Sequence, residues 1–246
     1  CIRDRYMGNA FETPIKKIWN GDRWVVMDTK GGTLPELGQV VHLDATKTSS
    51  YSGSGTTWTD ISGKGHDGTL TNGPTFSSDN GGSIVFDGDD DKFEIRSISS
   101  ETLSKFSISM WILNKDGDPT EGNVERIIST SNDEFELSIG SRPGDWENKI
   151  GFFSRSLGLG WENTGYSLSK DQFTHLLVVF DGSKLLLYAN GSKEFEISAN
   201  GNIPSGITWM FGERVNGGGE NGRFGIDEFA LWETSLTPEE INAIYN

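Results

Sequence analysis

Twelve short apolar runs, each closed by Gly, Asn, Asp or Ser, constrain this chain more than any other feature. They are "GQVVHLDA", "GSIVFDG", "FEIRS", "FSISMWIL", "RIISTS", "EFELSIG", "KIGFFS", "THLLVVFDG", "KLLLYANG", "KEFEIS", "ITWMFGE" and "FGIDEFALWE". Runs this short, with turn residues at each end, suit strands, and their number argues a two-sheet antiparallel sandwich or jelly roll. Within "LLVVFDGSKLLLYANGSKEFEIS", Asp181-Gly182 and Asn190-Gly191 are hairpin dipeptides. The nearly continuous apolar strands between them belong mid-sheet, covered on both faces. A single helix is expected, at the C-terminus: Thr237, Pro238 and Glu240 form a capping box with Pro at the first helical position, turning Ile241, Ile244 and Tyr245 onto a sheet. No fixed-period repeat favours a propeller or solenoid.

Upstream, "PIKKIWNGDRWVVMD" alternates Ile15, Lys17 and Trp19 on one face and turns at Asn20-Gly21, which predicts a small β-hairpin. "TKGGTLPELG" reads as a connector and places a boundary near residue 38. The first eight residues, "CIRDRYMG", reverse-translate to a transposon end followed by a template-switching primer tail, so residues 1–8 are expected to be a library scar. The domain reading is then 1–8 scar, 9–38 hairpin and linker at the end of an upstream region, and 39–246 jelly roll.

Composition removes several function classes. The formal charge of −15 repels phosphate backbones, which need a clustered positive face, so nucleic acid is an unfavourable partner. The longest aliphatic or aromatic run, Leu176 to Phe180, falls far short of the roughly 20 residues of a membrane span, so no membrane insertion is expected. The single cysteine, Cys1, precludes an internal disulfide framework and a cysteine zinc site.

The stretch "VVHLDATKTSSYSGSGTTWTDISGKGHDGTLTNGPTFSSDNGGSIVFDGDDD", followed in order by "FSISMWI", "THLLVVFDGSKLLLYANG" and "RFGIDEFALWETSLTPEEINAIY", resembles the laminin G-like jelly roll of the concanavalin A-like lectin and glucanase superfamily. The resemblance covers residues 39 to 246 and implies a concanavalin A-like sandwich. It says less about function, because this fold hosts lectins, pentraxins, adhesion modules and glycanases. The wording of the "GSGTTWTDISGKG" region and the "WNGDRWV" hairpin is also similar to virion and tail-associated proteins of bacterial viruses.

The loop "TDISGKGHDGTL" invites a metal reading. It is not an EF-hand, since Lys64 and Thr71 stand at the fifth and twelfth positions from Asp60. The family resemblance implies that Asp60 approaches Asp227 and that the pair, with glycine-turn carbonyls, holds a structural Ca2+. Arg223 is a rival neutraliser. The alternative is that Asp60 and Ser62 brace a tight turn through backbone N–H groups. The acid run "FDGDDDKFE", Asp87 to Glu94, is a further conceivable cation site or a solvated turn.

Catalysis finds no support. Glucanases of the superfamily place acids as Glu-x-Asp-x-Glu on one strand face; in "NDEFELS", Glu134 and Glu136 are expected to share a face but Ser138 ends the pattern. His175 is expected to be a packed structural histidine. The tryptophans divide by context. Trp111 and Trp232 lie among apolar residues and are expected in the core, and Trp58 and Trp209 are undecided. Trp146 in "RPGDWENK" and Trp161 in "GLGWENTG" lie among Gly, Pro and polar residues. Half-exposed indoles there would stack on sugar faces, with Asp145, Asn148 and Asn163 holding hydroxyls, or would cover the sandwich edge. The expected function is a non-enzymatic carbohydrate-binding or adhesion module on a virion or cell surface, with a glycan or cell-surface polysaccharide and other virion or surface proteins as partners. A purely structural virion jelly roll is the alternative, and a glycoside hydrolase a weaker one.

Overall fold

The computed structural model describes residues 34–115, 124–140, 148–215, 217 and 219–245, and two short strands nearer the N-terminus. Those strands, β1 (Lys16–Trp19) and β2 (Trp24–Met27), pair antiparallel with Trp19 opposite Trp24. The turn dipeptide Asn20-Gly21 and the first eight residues lie outside the described residues.

The remaining strands form two antiparallel sheets of eight strands each. In spatial order, sheet I runs β13 (Leu159–Ser167), β12 (Lys149–Ser154), β11 (Glu136–Gly140), β10 (Val124–Thr130), β17 (Thr208–Phe211), β8 (Lys92–Arg96), β5 (Gly68–Thr71) and β4 (Thr57–Trp58). Sheet II runs β16 (Ser192–Ser198), β15 (Lys184–Ala189), β14 (Phe173–Phe180), β9 (Phe106–Asn114), β18 (Phe224–Trp232), β7 (Ser83–Val85) and β6 (Thr75–Ser77). β3 (Gln39–Leu43) lies beside the second half of β18, pairing Leu43 with Phe229 and His42 with Ala230.

Strand alternation decides which side chains meet between the sheets. Phe106, Ile108, Met110 and Ile112 of β9 and Leu176, Val178 and Phe180 of β14 face Leu137 and Ile139 of β11 and Ile150 and Phe152 of β12. Each such fully buried side chain contributes about 1.5–3 kcal/mol of transfer free energy. Trp58 and Trp209, undecided from sequence, are both buried in this core, Trp58 with its ring 5.2 Å from that of Phe93. At the β15–β16 turn, Asn190 (φ 49°) and Gly191 (φ 78°) both take left-handed backbone, the geometry a two-residue hairpin requires. β14 is buried along nearly its whole length, as its apolar run predicts, whereas β15 alternates beside the edge strand β16.

The opposite residues of sheet II are covered by α1 (Pro238–Tyr245). Its capping box is formed: Thr237 N donates to Glu240 Oε2 at 2.9 Å, and Glu240 N donates to Thr237 Oγ1 at 3.3 Å. Leu177, Val179, Ala230, Trp232, Leu236, Ile241 and Ile244 form a second apolar cluster here. Trp232 is therefore core as expected, but of this outer layer, and its indole N–H donates to Pro35 O at 2.6 Å. Trp111 departs from its expectation. It is only partly buried, because β9 alternation turns it outward between His175 and Tyr245, with ring centroids at 5.2 and 6.3 Å.

Candidate functional site

On the outer face of sheet I, where polar residues would ordinarily meet water, the structure buries charge instead. Arg126 of β10 is opposite Ser138 of β11, which is opposite Gly151 of β12, which is opposite Asn163 of β13. Paired residues of an antiparallel ladder share a face, so this row lies on one side together with Glu136, Phe153 and Trp161. Arg126 is 0% and Glu136 1% exposed. The Arg126 guanidinium lies 3.0 Å from Glu136 Oε2 and 2.6 Å from Glu220 Oε2, and stands 4.6 Å from the centre of the Trp161 ring. Phe153 packs its ring 5.3 Å from that of Trp161. Trp161 is thus a half-buried indole set by a cation–π contact and a neighbouring aromatic.

A second arginine extends the network. Arg214 Nη2 donates to both oxygens of Asp133, at 3.0 and 3.1 Å, and its Nε lies 4.0 Å from Glu136 Oε1. Burial pushes the Glu136 carboxyl up to about 7, only partly offset by Arg126. Burial would also raise Asp133, but hydrogen bonds from Arg214 and Glu136 hold it below the ordinary carboxylate range. Two neighbouring acids are thereby driven apart, Glu136 upward and Asp133 downward. Burial lowers Arg126, opposed by Glu136 and Glu220.

The expected sugar-site residues distribute as follows. Trp161 and Asn163 share this face, and Asn163 Oδ1 accepts from Gly165 N at 2.8 Å. Asn148, with φ 55°, accepts from Asn114 Nδ2 at 3.2 Å just before β12. Asp145 and Trp146 lie outside the described residues. Glu134 does not share the strand face with Glu136. Asn132 and Asp133 adopt left-handed backbone (φ 61° and 57°), β11 begins only at Glu136, and the Glu134 carboxylate accepts from Ser156. Sequence reasoning missed Arg126, Asp133, Arg214 and Glu220; the one local signal was the charge of Arg126 inside the apolar run "RIISTS".

His175 is a packed structural histidine, 2% exposed, with Nε2 2.8 Å from Ser109 Oγ; burial lowers it to about 4.

At the other end of the molecule the two aspartates expected to share an ion serve different contacts. Asp60 accepts from His42 N, Ser62 N, Ser62 Oγ and His66 N, at 2.9, 2.9, 2.8 and 3.0 Å. Burial opposes ionisation, but these donors hold its carboxyl below the ordinary range. Asp227 accepts from Ala45 N at 2.7 Å, beside a bulge in β18 where Glu228 has φ 48°. The two carboxylates thus hold the backbone three residues apart, Asp60 at His42 within β3 and Asp227 at Ala45 just beyond its end. The carboxylates of Asp44 and Glu228 lie with that of Asp227 within 4.8 Å of one another. Burial pushes Asp227 up to about 7, while Asp44, despite burial, is held low by Thr46 and by Lys47, whose ammonium is 2.9 Å away. An all-oxygen trio of this kind suits a hard cation. Asp60 is not part of this trio. Asp87, Asp90 and Asp91 form another close trio, the first two exposed and Asp91 buried.

Comparison with known proteins agrees with this architecture. The sequence pattern of the Concanavalin A-like lectin/glucanases superfamily matches residues 86–242. No curated protein matches by sequence. Among solved structures, domain 4 of AbnA, an extracellular arabinanase from Geobacillus stearothermophilus, in complex with arabinotriose, is similar with TM-score 0.65 and 16% identity, over 85% of this chain and 98% of that one. The binding domain of Paraclostridial Mosquitocidal Protein 1 gives TM-score 0.66 and 16% identity, over 85% of this chain and 52% of that one. The ligand-binding domain of botulinum neurotoxin serotype D in complex with N-acetylneuraminic acid gives 0.64 and 17%, over 85% and 50%. The chain therefore spans about half the length of these toxin domains and nearly all of the arabinanase domain. Among the described residues, no helix is long and apolar enough to cross a membrane.

Proposed function

Because the chain belongs to the concanavalin A-like lectin/glucanases superfamily, whose pattern spans residues 86–242, we propose that it is a non-enzymatic carbohydrate-binding module displayed on an extracellular or virion surface. The observation that carries this reading is Trp161. It is a partly exposed indole on an outer sheet face, held by Arg126 at 4.6 Å and Phe153 at 5.3 Å, with Asn163 on the same face. A ring fixed in advance binds a sugar face at little entropic cost. The arabinotriose complex of the similar arabinanase domain supports the ligand class. The binding role rather than hydrolysis is supported by the acids: Glu136 is 1% exposed and both it and Asp133 are tied to arginines. One shallow site binds weakly, so display in several copies would supply avidity, by roughly 10² to 10⁴. Neighbouring surface or virion proteins would be the partners that array it.

The test is a glycan array read with and without calcium, using wild type and Trp161→Ala. Binding lost in the variant supports the module; an array with no hit leaves the second reading, a structural jelly roll. That reading is favoured by the Arg126, Glu136 and Glu220 network closing the same face. A calcium ion in this proposal would be held by Asp227 with Asp44 and Glu228, where it would clamp the end of β3 to the β18 bulge. A thermal midpoint that rises with calcium and falls with chelator supports it, and an unchanged midpoint removes it.

A further inference from the structure

The loop "DISGKGHDG" is fastened on several sides, yet the exposed Lys64 side chain at its tip makes no bond of its own. Asp60 ties its start to β3, Ile61 N donates to His42 O at 2.9 Å, and Ser62 Oγ donates to Val40 O at 3.3 Å. Asp67 closes it from the far side by accepting from Asp60 N at 2.8 Å. Gly63 and Gly65, at φ 81° and 80°, flank Lys64, a backbone shape that residues with a Cβ rarely adopt. Lys64 and His66 of this turn line a cleft of about 500 Å³, the size range of small-ligand sites. Val40 and Ile98 contribute apolar surface to it, and Glu233 sits within it, accepting from Ser99 Oγ at 2.6 Å. Ser97 also lines it, with left-handed backbone at φ 54° that is uncommon for a non-glycine residue. Lys64, Ser97, Ser100 and Ser205 all line this cleft, and their side chains have no hydrogen-bond partner among the described residues.

We propose that this cleft, which Trp161 does not line, is a second glycan site that takes one or two neutral sugar rings. The proposal rests on the carbohydrate-binding reading above. Its chemistry is that of a polyol. Several hydroxyls that both donate and accept, one ammonium and one carboxylate offer the mixed pairing that sugar hydroxyls need, and the apolar floor suits a C–H face. Lys64 and Glu233 cancel in charge, and the chain as a whole carries −15, so an acidic glycan is disfavoured.

Amide NMR titration of the intact chain with arabinotriose, maltotriose and trigalacturonate tests this. A neutral trisaccharide is expected to shift the amides of Lys64, His66, Ser97 and Ser205 in wild type and in Trp161→Ala alike. Lys64→Ala combined with Ser205→Ala, both exposed and without side-chain hydrogen bonds among the described residues, is expected to weaken that response about tenfold or more while leaving the Trp161 indole response intact. Shifts at Trp161 alone overturn the second site and keep the first. Equal or tighter binding of trigalacturonate, or unchanged affinity in the double variant, overturns it as well. Silence at both places overturns this proposal and the carbohydrate-binding reading together.

Discussion

Across the sandwich from Trp161, the outer face of sheet II is sealed by α1 with Leu177, Val179, Trp232, Ile241 and Ile244, whereas the outer face of sheet I is sealed by Arg126, Glu136, Asp133, Arg214 and Glu220. Both coverings remove a sheet face from water, but they are not equivalent. Apolar closure gains from burial and needs no particular geometry. Charged closure gives back much of its Coulomb energy as desolvation, so it adds little net stability compared with an apolar filling of the same volume. What it supplies is fixed orientation. The face closed by hydrocarbon holds the fold, and the face closed by charge holds an indole in one orientation, which the proposed function puts against a ligand.

The comparison breaks most readily at its charged centre. Arg126→Ala leaves Glu136 and Glu220 without their shared cation and is expected to cost about 3–5 kcal/mol in urea unfolding. Trp232→Ala on the other face should cost a similar amount, roughly 3–5 kcal/mol, through the cavity it leaves. Equal losses with glycan binding retained only in the Trp232 variant would sharpen the distinction; binding retained in both would erase it.

The faces also carry opposite pH signatures. Glu136, ordinarily near 4.5, sits at about 7 in the fold, so between those values the native state holds a proton that the unfolded chain has lost. Stability from this group falls as pH rises through that window, by about 1.4 kcal/mol per unit. His175, ordinarily 6.5, sits at about 4, so between those values the unfolded chain holds the extra proton and stability rises with pH. Wild type should therefore be nearly flat in these two contributions between about 4.5 and 6.5. Unfolding free energies measured across that range should tilt upward with pH in Glu136→Gln and downward in His175→Gln. Parallel profiles for all three would show that neither group is buried as described. The smallest effect is expected at the helix cap, where Thr237→Ala should cost about 1 kcal/mol in the same assay, with no effect on glycan binding.

Much of the fold could be read from local pattern because local chemistry makes it. Asn190-Gly191 supplies two left-handed residues to one hairpin, and Thr237 and Glu240 bond each other three positions apart. The site was legible only in part. Trp161 and Asn163 stand on one strand and announce a face by alternation, but Arg126 meets Glu220 across 94 positions, a distance no spacing rule spans. Glu134 misled because the left-handed pair Asn132 and Asp133 delays the strand, and Asn tolerates that conformation without advertising it. Asp60 was legible as a brace through Ser62 and His66 nearby, while its grip on β3 through His42 was not.

Titration calorimetry with the best neutral glycan from the array, run on wild type, Trp161→Ala and Trp232→Phe, tests the central claim most directly. The sheet I affinity is expected to fall about tenfold or more in Trp161→Ala and to stay within about twofold in Trp232→Phe. Unchanged affinity in Trp161→Ala, with the variant still folded, would contradict it.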